Sequence, residues 1–563
     1  MAQEFPTVAV VGLGAVGAAL ATRLAESGRR VIGIERDASA LAAARDRVGG
    51  QVECTVGLGA AADADLVVEA VPERLPLKVD VLARAGAGCP DHTVFATTTT
   101  GLPVTKIASR SGRMARTVGL HAFPSVLGNG NGVVELVRTP VTDPAVLAAT
   151  TEFVAELGLA PTVIGDHPGF VGGALLMAYL NGAAAMYEQG YAARDDIDTA
   201  MRLGCGLPTG PLAQLDQIGL DVVHDTLEAL HERTGDRGYA PTQVLTTMRD
   251  AGLLGRKTGR GFYNYGSKSP TPREELPPSQ VAVIGVVGAG AMATGIAEVC
   301  ARAGYPTVLA ARTDVRAKEA LRAVEESMDR AVHRGRLSIV DHQAAMGLLS
   351  GDGELDALAG CDLVIEAVRE DITVKRRIFG ELDRVCADHA VLATSTSSLP
   401  VIACATATRR PDRVVGMHFF NPAPAMRLVE IARTDLTSEA TASTVHSVTA
   451  ALGRTAVPCG DRAGFIVNAL LFPYLNRAAA MLRDRWVSAD DIDQVMTGGH
   501  GFPMGPLRLL DVIGLDVSLQ IQHSLAHAFG DPTLTPAAAL SDLVAAGYLG
   551  RKTGRGFHPH APR

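Results

Sequence analysis

One nine-residue segment occurs twice in this chain, and the distance between its occurrences restricts the fold more than any other feature. Leu254-Gly-Arg-Lys-Thr-Gly-Arg-Gly-Phe262 returns as Leu549-Gly-Arg-Lys-Thr-Gly-Arg-Gly-Phe557, a period near 295 residues (254 to 549). His121-Ala-Phe123 returns as His418-Phe-Phe420, and Gly12-Leu-Gly14 as Gly288-Ala-Gly290. Solenoid repeats run roughly 20 to 50 residues, so this period is too long for one. It is the length of a whole enzyme. The 563 residues are therefore read as two tandem copies, with room for about four domains of about 150 residues each.

Bulk composition narrows the partners. Hydrophobic residues make up 47% of the chain, enough for a core in every domain. The net charge is −8 and no long basic run occurs, which argues against nucleic acid and requires a local pocket for any anionic ligand. The 8 cysteines include no C-x-x-C pair, so no metal site and no disulfide framework is expected. Met1-Ala-Gln-Glu-Phe-Pro6 runs straight into a strand without a charged and then apolar signal region. The most apolar helical stretch, Gly172 to Met186, contains Asn181 and Gly182 and falls short of the roughly 20 residues of a membrane span. A soluble cytoplasmic protein with no membrane partner is expected.

Each copy opens with short apolar strands alternating with amphipathic helices, the pattern of a parallel α/β sheet. Thr7-Val-Ala-Val-Val-Gly12 and Ala282-Val-Ile-Gly-Val-Val287 are the first strands. Asp65-Leu-Val-Val-Glu-Ala-Val71 matches Asp362-Leu-Val-Ile-Glu-Ala-Val368, each apolar enough to be buried on both faces. The texture then turns helical, around Gly210-Pro-Leu212 with Asp216 and Asp221, and Gly505-Pro-Leu507 with Asp511 and Asp516. The expected domains are 1–165 and 281–460, Rossmann-like and nucleotide-binding, and 166–266 and 461–563, helical. The proline-rich segment 267–280 reads as an extended linker reaching some ~50 Å.

Gly12-x-Gly14-x-x-Gly17 follows a strand and opens a helix, where backbone amides and the positive helix end can hold a pyrophosphate. Glu35 ends the next strand, as an acid that bonds the ribose hydroxyls and repels a 2′-phosphate would. Copy one is expected to bind NAD. Copy two has Gly288-x-Gly290-x-x-Ala293, but Ala311 stands at the place of Glu35, with Arg312 beside it. Losing the acid and keeping a guanidinium predicts NADP; the alternative is a solvated Arg312, since copy one also has Arg36 there.

Copy two continues with Met417-His418-Phe-Phe-Asn421-Pro422 and, twelve residues after His418, Glu430. Together with the glycine fingerprint, Thr394-Ser-Thr-Ser397-Ser398, Gly464-Phe-Ile-Val-Asn468 and the Arg-Lys-Thr-Gly-Arg-Gly-Phe ending, this closely resembles the L-3-hydroxyacyl-CoA dehydrogenase family, once per copy. The resemblance implies a Rossmann-like domain followed by a helical domain that commonly dimerises, hydride transfer between C3 of an acyl thioester and NAD(P), and a place in fatty acid metabolism. It puts the catalytic pair on His418 and Glu430, the polar substrate residues on Ser397, Asn468 and Asn421, and cleft-lining positions on Glu370 and Lys375. Histidine suits the proton transfer because its pKa lies near working pH, and a carboxylate on its other nitrogen fixes the tautomer.

From Ala311 to Asp362 is 51 positions, against 30 from Glu35 to Asp65. The extra sequence is helix-like and carries Arg330, His333, Arg334 and Arg336. In the family a helical excursion here helps hold CoA, whose phosphates favour such charges; a solvated basic face is the alternative. Copy one lacks the excursion. It keeps His121 and Glu135 but has Thr100 for Ser397, Gly173 for Asn468, and two extra residues before Glu135. It reads as a degenerate second site that still binds a nucleotide, serves as a scaffold or regulatory module, or acts on another substrate. The copies are expected to form an internal pseudo-dimer, with further homo-oligomerisation open. An acyl-carrier-protein thioester or a free hydroxy acid remains the alternative to an acyl-CoA substrate.

Overall fold

The computed structural model describes residues 4–123, 132–266 and 280–561. Nearly all of the linker, and the glycine-rich stretch between His121 and Glu135 up to Asn131, lie outside these residues. In copy one, β1 (Thr7–Val11), β2 (Arg30–Glu35), β3 (Glu53–Val56), β4 (Leu66–Glu69), β5 (Val94–Thr97), β6 (Thr117–Ala122), β7 (Val133–Arg138) and β8 (Ala160–Gly165) form one sheet in the order 3-2-1-4-5-6-7-8. Copy two repeats it with β9 (Ile284–Val287), β10 (Thr307–Ala310), β11 (Leu349–Asp352), β12 (Leu363–Glu366), β13 (Val391–Thr394), β14 (Val414–Phe419), β15 (Leu428–Arg433) and β16 (Thr455–Gly460), in the order 11-10-9-12-13-14-15-16. Among the strands of the described residues, only β6–β7 and β14–β15 pair antiparallel.

The central strands β4, β5, β12 and β13 are buried throughout, which is why their sequences are apolar runs rather than alternations. Strand order reverses between β1 and β4 and between β9 and β12, opening a crevice at the carboxyl ends of the strands. The first strand of copy two begins at Ile284 rather than Ala282. The amides of Ala282 and Val283 bond the Asp362 carboxylate instead of a neighbouring strand. Between β2 and β3 copy one has the helix Ala38–Val48, whereas between β10 and β11 copy two has Asp314–His333 and Ile339–Gly347. Among the described residues, no helix is long and apolar enough to cross a membrane.

The repeated nine-residue segment is a clasp on the helical domain. Buried Asp216 accepts the amides of Phe262 and Tyr263, and buried Asp511 those of Phe557 and His558. Lys257 pairs with Asp221, and Lys552 with Asp516. Gly255 and Gly550 turn at φ 90° and 87°, and a Cβ on either would strike the aspartate backbone. Packing and backbone geometry account for the motif without chemistry.

Contacts between the copies are reciprocal. The helices Gly172–Glu188 and Val467–Ala480 pack together, and the equivalent Tyr179 and Tyr474 meet with ring centroids 6.1 Å apart. The helix Arg194–Cys205 of copy one lies on β15 and β16, while the turn Val495–Gly499 of copy two lies on β7. His167 stacks on Trp486 at 4.1 Å, and at the equivalent place Arg462 sits 3.9 Å over the ring of Tyr191.

Side-chain sizes at this interface differ between the copies. Where copy two has Val467, copy one has Gly172; where copy one has Cys205, copy two has His500. A Cβ on Gly172 would lie 2.8 Å from His500 Nε2 and 2.9 Å from Phe123 Cζ. The imidazole therefore fits only because Gly172 has no side chain. Gly172→Val should cost about 1–3 kcal/mol, as overpacking does, and lower the melting temperature. Adding His500→Cys, which restores the pairing found in copy two, should recover most of that loss; a double variant no more stable than the single one would show that this contact is not the cause.

Candidate active site

The register of the antiparallel pair β14–β15 sets His418 directly opposite Glu430, which puts both side chains on one face of the sheet. His418 Nδ1 lies 2.7 Å from Glu430 Oε2. The other oxygen, Oε1, accepts the amides of Ile466 and Val467 at 3.0 and 2.9 Å, at the start of the helix Val467–Ala480. Glu430 is fully buried, so its charge is held by an imidazole on one side and a helix amino end on the other. Nδ1 carries the proton in this arrangement, leaving Nε2 to exchange one with a ligand.

Phenyl rings enclose the imidazole, Phe420 at 4.4 Å and Phe465 at 5.5 Å between centroids. Phe465 has φ 49°, an uncommon conformation for an aromatic residue. That turn carries the chain into the helix whose first amides meet Glu430. Copy one repeats the construction. His121 faces Glu135 at 2.5 Å, Glu135 Oε1 accepts the amides of Val171 and Gly172, and Phe123 and Phe170 (φ 55°) flank the ring. The longer loop of copy one leaves its dyad intact.

A second cluster adjoins each dyad. Glu370 Oε1 accepts the Thr396 hydroxyl at 2.6 Å, the amides of Ser397 and Ser398 at 2.8 and 3.0 Å, and the Ser397 hydroxyl at 3.2 Å. Burial alone would raise the Glu370 pKa, but Lys375, the Thr396 hydroxyl and the two amides outweigh it and hold the carboxyl below its ordinary value. Asn468 Nδ2 donates to the Ser397 carbonyl at 3.2 Å. Because Asn468 follows Val467, the residue bonding Glu430, one helix turn ties Ser397 to the dyad. In copy one Glu73 accepts the Thr99 hydroxyl and the amide and hydroxyl of Thr100. Gly173 has no side-chain amide with which to reach Thr100.

The structure sets Lys375 differently from a cleft-lining residue. It is fully buried, with Nζ 2.9 Å from both oxygens of Glu366 and 3.5 Å from Glu370. It can act on a ligand only through Glu370. Lys78, Glu69 and Glu73 repeat the arrangement in copy one. Arg330, Arg334 and Arg336 are exposed at the end of the helix Asp314–His333 and just beyond it. That helix leaves the carboxyl edge of β10, and twenty residues of helix extend about 30 Å. Arg336 accordingly borders a cleft with Gly304 and Leu348, which precede β10 and β11, at the amino edge of the sheet. The dyad and Ser397 stand at the carboxyl edge, so these arginines cannot touch a reacting group; only the far end of a long carrier could meet them. Asn421 is exposed just beyond Phe420.

The glycine loops fit a dinucleotide. Gly12 turns at φ 91°, a Cβ on Gly17 would strike the Gly12 carbonyl, and one on Gly14 or Gly290 would meet nothing within 4 Å, leaving room for a pyrophosphate. Gly288 turns at φ 133°, and Ala293 is accommodated there and fully buried. Glu35 Oε1 accepts the Leu13 amide at 2.7 Å, tying the acid to the loop. Arg36 pairs with Asp37 at 3.0 Å. Arg312 is exposed and, among the described residues, has no carboxylate within ion-pair distance.

Sequence reasoning missed the flanking rings of Phe123, Phe170, Phe420 and Phe465, the buried Glu69–Lys78 and Glu366–Lys375 pairs, and His500. The first two groups recur in both copies, which was the available signal. His500 gave none, because it reaches copy one from the other half of the chain. Its ring lies 4.7 Å from that of Phe123.

Comparison with known proteins followed the same division. Residues 45–167 and 283–462 match the family described as 3-hydroxyacyl-CoA dehydrogenase, NAD binding domain. Residues 169–265 and 464–560 match 3-hydroxyacyl-CoA dehydrogenase, C-terminal domain. Residues 7–79 also match NADP oxidoreductase coenzyme F420-dependent. A 3-hydroxybutyryl-CoA dehydrogenase of Mycobacterium tuberculosis is 44% identical over 279 residues, 49% of this chain and 98% of that protein. The mitochondrial hydroxyacyl-coenzyme A dehydrogenase of Homo sapiens is 37% identical over 308 residues, 54% of this chain and 98% of that protein. The solved 3-hydroxybutyryl-CoA dehydrogenase of Escherichia coli K12 matches 97% of this chain and 100% of its own at a TM-score of 0.70 and 22% identity, a likeness of fold across both copies.

Two outcomes follow from the site geometry. Glu430→Gln keeps the shape but sets an amide N–H against either the His418 Nδ1–H or the helix amides, so turnover should fall roughly 10²–10⁴-fold, the range of a lost acid–base partner; an unchanged kcat would remove Glu430 from the reaction. Burial lowers the His500 pKa to about 4. Its folded value lies below its unfolded value, so the associated stability is complete above about pH 6.5 and is lost as pH falls toward 4, on the order of 3 kcal/mol. His500→Cys should flatten that part of a urea-stability profile.

Proposed function

The chain belongs to the 3-hydroxyacyl-CoA dehydrogenase family, carrying both of its domains twice, and on that premise we propose that copy two interconverts a 3-hydroxyacyl and a 3-oxoacyl thioester, its substrate an acyl-CoA. The observation that carries this reading is the His418–Glu430 dyad tied through Asn468 to Ser397. When bound, the dinucleotide supplies or takes the hydride at C3. His418 Nε2 gives or takes the proton at the C3 oxygen, and Glu430 stabilises the imidazolium that alternates with the neutral ring. The Ser397 hydroxyl bonds the reacting oxygen. Asn468 holds the Ser397 backbone and the thioester. Asn421 lies on the substrate side, and Arg330, Arg334 and Arg336 are placed to meet only the phosphates at the far end of CoA.

Gly288, Gly290 and Ala293 would hold the pyrophosphate in copy two, with NADP preferred. The support is Ala311 in place of an acid and a free guanidinium on Arg312, whereas copy one offers Gly12, Gly14, Gly17 and Glu35 to NAD. The domain limits 1–165, 166–266, 281–460 and 461–563 are proposed on the same footing, supported by the change from sheet to helix after β8 and β16. The copies are proposed to act as an internal pseudo-dimer, supported by their reciprocal contacts and by the ion pair of Arg477 with Asp236 at 2.5 Å. A cytoplasmic setting suits a hydrophobic-core enzyme whose 8 cysteines include no paired motif.

Initial rates with acetoacetyl-CoA and either NADPH or NADH, on the parent, His121→Ala and His418→Ala proteins, test the assignment. His418→Ala should lose nearly all activity and His121→Ala little; the reverse would place thioester turnover in copy one. Ala311→Glu should move the preference toward NADH by at least tenfold, and no shift would remove the acid rule as its basis.

A further inference from the structure

We propose that copy one is a second substrate site, built for a small 3-hydroxy or 3-oxo carboxylic acid without a CoA carrier, with Arg233 holding the carboxylate. This rests on the family reading of the fold but concerns the other half of the chain. The first observation is that copy one contains the whole proton-transfer apparatus. Glu135 is fully buried and bonded to His121 and two amides, and Glu73 organises Thr99 and Thr100. Glu135 also docks the helical domain through the amides of Val171 and Gly172, but that docking does not require the His121 imidazole on its other oxygen or the Glu73–Thr100 cluster beside it.

The second observation concerns size. Copy one has a single 11-residue helix where copy two has helices of 20 and 9 residues, so nothing extends from β2 to follow a long carrier. Gly173 leaves open the volume that Asn468 fills beside Ser397. A Cβ there would meet only the Thr100 carbonyl, at 3.7 Å. Among the described residues, the space beside Thr100 is not filled by an amide and no excursion follows β2, which favours a compact ligand.

The third observation supplies a counter-charge. Arg233 Nη1 donates to the carbonyl of Gly101, the residue after Thr100, and copy two has Ala528 at the equivalent position. Thr100 and Gly101 are consecutive, so the guanidinium is bonded to the residue next to the one whose hydroxyl would bond the C3 oxygen. Asp166 acts on Arg233 through space, but its Oδ2 accepts the Thr105 amide, and among the described residues it forms no ion pair with Arg233 within 4.0 Å. Most of the five guanidinium N–H groups are left for a carboxylate. Oxidation at this site breaks the C3–H bond, its electron pair passing to NAD, while the hydroxyl proton passes to His121 Nε2. The product is the 3-oxo acid.

The test uses the full chain carrying His418→Ala, saturated with NAD, titrated by calorimetry with 3-hydroxybutyrate and with its methyl ester. The acid should bind and the neutral ester should bind at least tenfold more weakly. Arg233→Gln keeps a donor for the Gly101 carbonyl while removing the charge, so it should weaken the acid at least tenfold, leave the ester unchanged and preserve the melting temperature. NAD-dependent oxidation of the acid should then disappear in His121→Ala. Equal affinity for acid and ester, or an Arg233→Gln variant that binds the acid as well as its parent, would overturn the proposal and leave Arg233 a latch between domains. Neither outcome depends on acetoacetyl-CoA turnover in copy two, which His418→Ala reads separately.

Discussion

A fully buried carboxylate, bonded on one oxygen by two helix amides and on the other by an imidazole, is the interaction on which each copy depends. Glu430 and Glu135 join three elements that are distant in sequence: the strand bearing the histidine, the strand bearing the glutamate, and the first turn of the helical domain. A charge in that position is tolerable only while all its partners are present. The same bonds that orient the imidazole therefore dock the helical domain against the sheet. Strained backbone at Phe465 and Phe170 is the local consequence, since it aims the amides at the carboxylate.

The reciprocal interface extends that dependence across the copies. The turn bearing His500 and the helix end bearing Cys205 each lie behind the dyad of the opposite copy. Small and large residues are exchanged between equivalent positions, Gly172 with His500 on one side and Val467 with Cys205 on the other. Two copies that diverged independently would lose such complementarity, because overpacking and voids are both destabilising. The pairing also covers the dyad of copy one from outside, with His500 of the other copy against Phe123.

Chemical difference between the copies is concentrated at the periphery of a shared apparatus. Both have the dyad, the glutamate–hydroxyl cluster and the buried lysine pair. They differ at the acid after the second strand, at Asn468 and Gly173, at the excursion, and at Arg233 and Ala528. These positions lie around the dyad rather than in it, which is the division expected when binding groups change around a fixed reaction centre.

The sequence by itself determined the duplication, the fold class and the pairing of His418 with Glu430. The first two follow from short-range patterns: glycine spacing after a strand, apolar runs of strand length, and a motif repeated at a constant offset; the third came from the resemblance to a known family. Local spacing likewise located the glycine loops and the acid after the second strand, while the nucleotide each copy takes remains a proposal. Only the tertiary structure decided that Lys375 is enclosed by Glu366, that Arg330, Arg334 and Arg336 sit at the opposite edge of the sheet from the dyad, that the longest repeat is a clasp, and that His500 completes the surroundings of His121. Each of these depends on which groups the fold brings together over tens to hundreds of residues, and on which side chains burial forces to pair. No local periodicity encodes that.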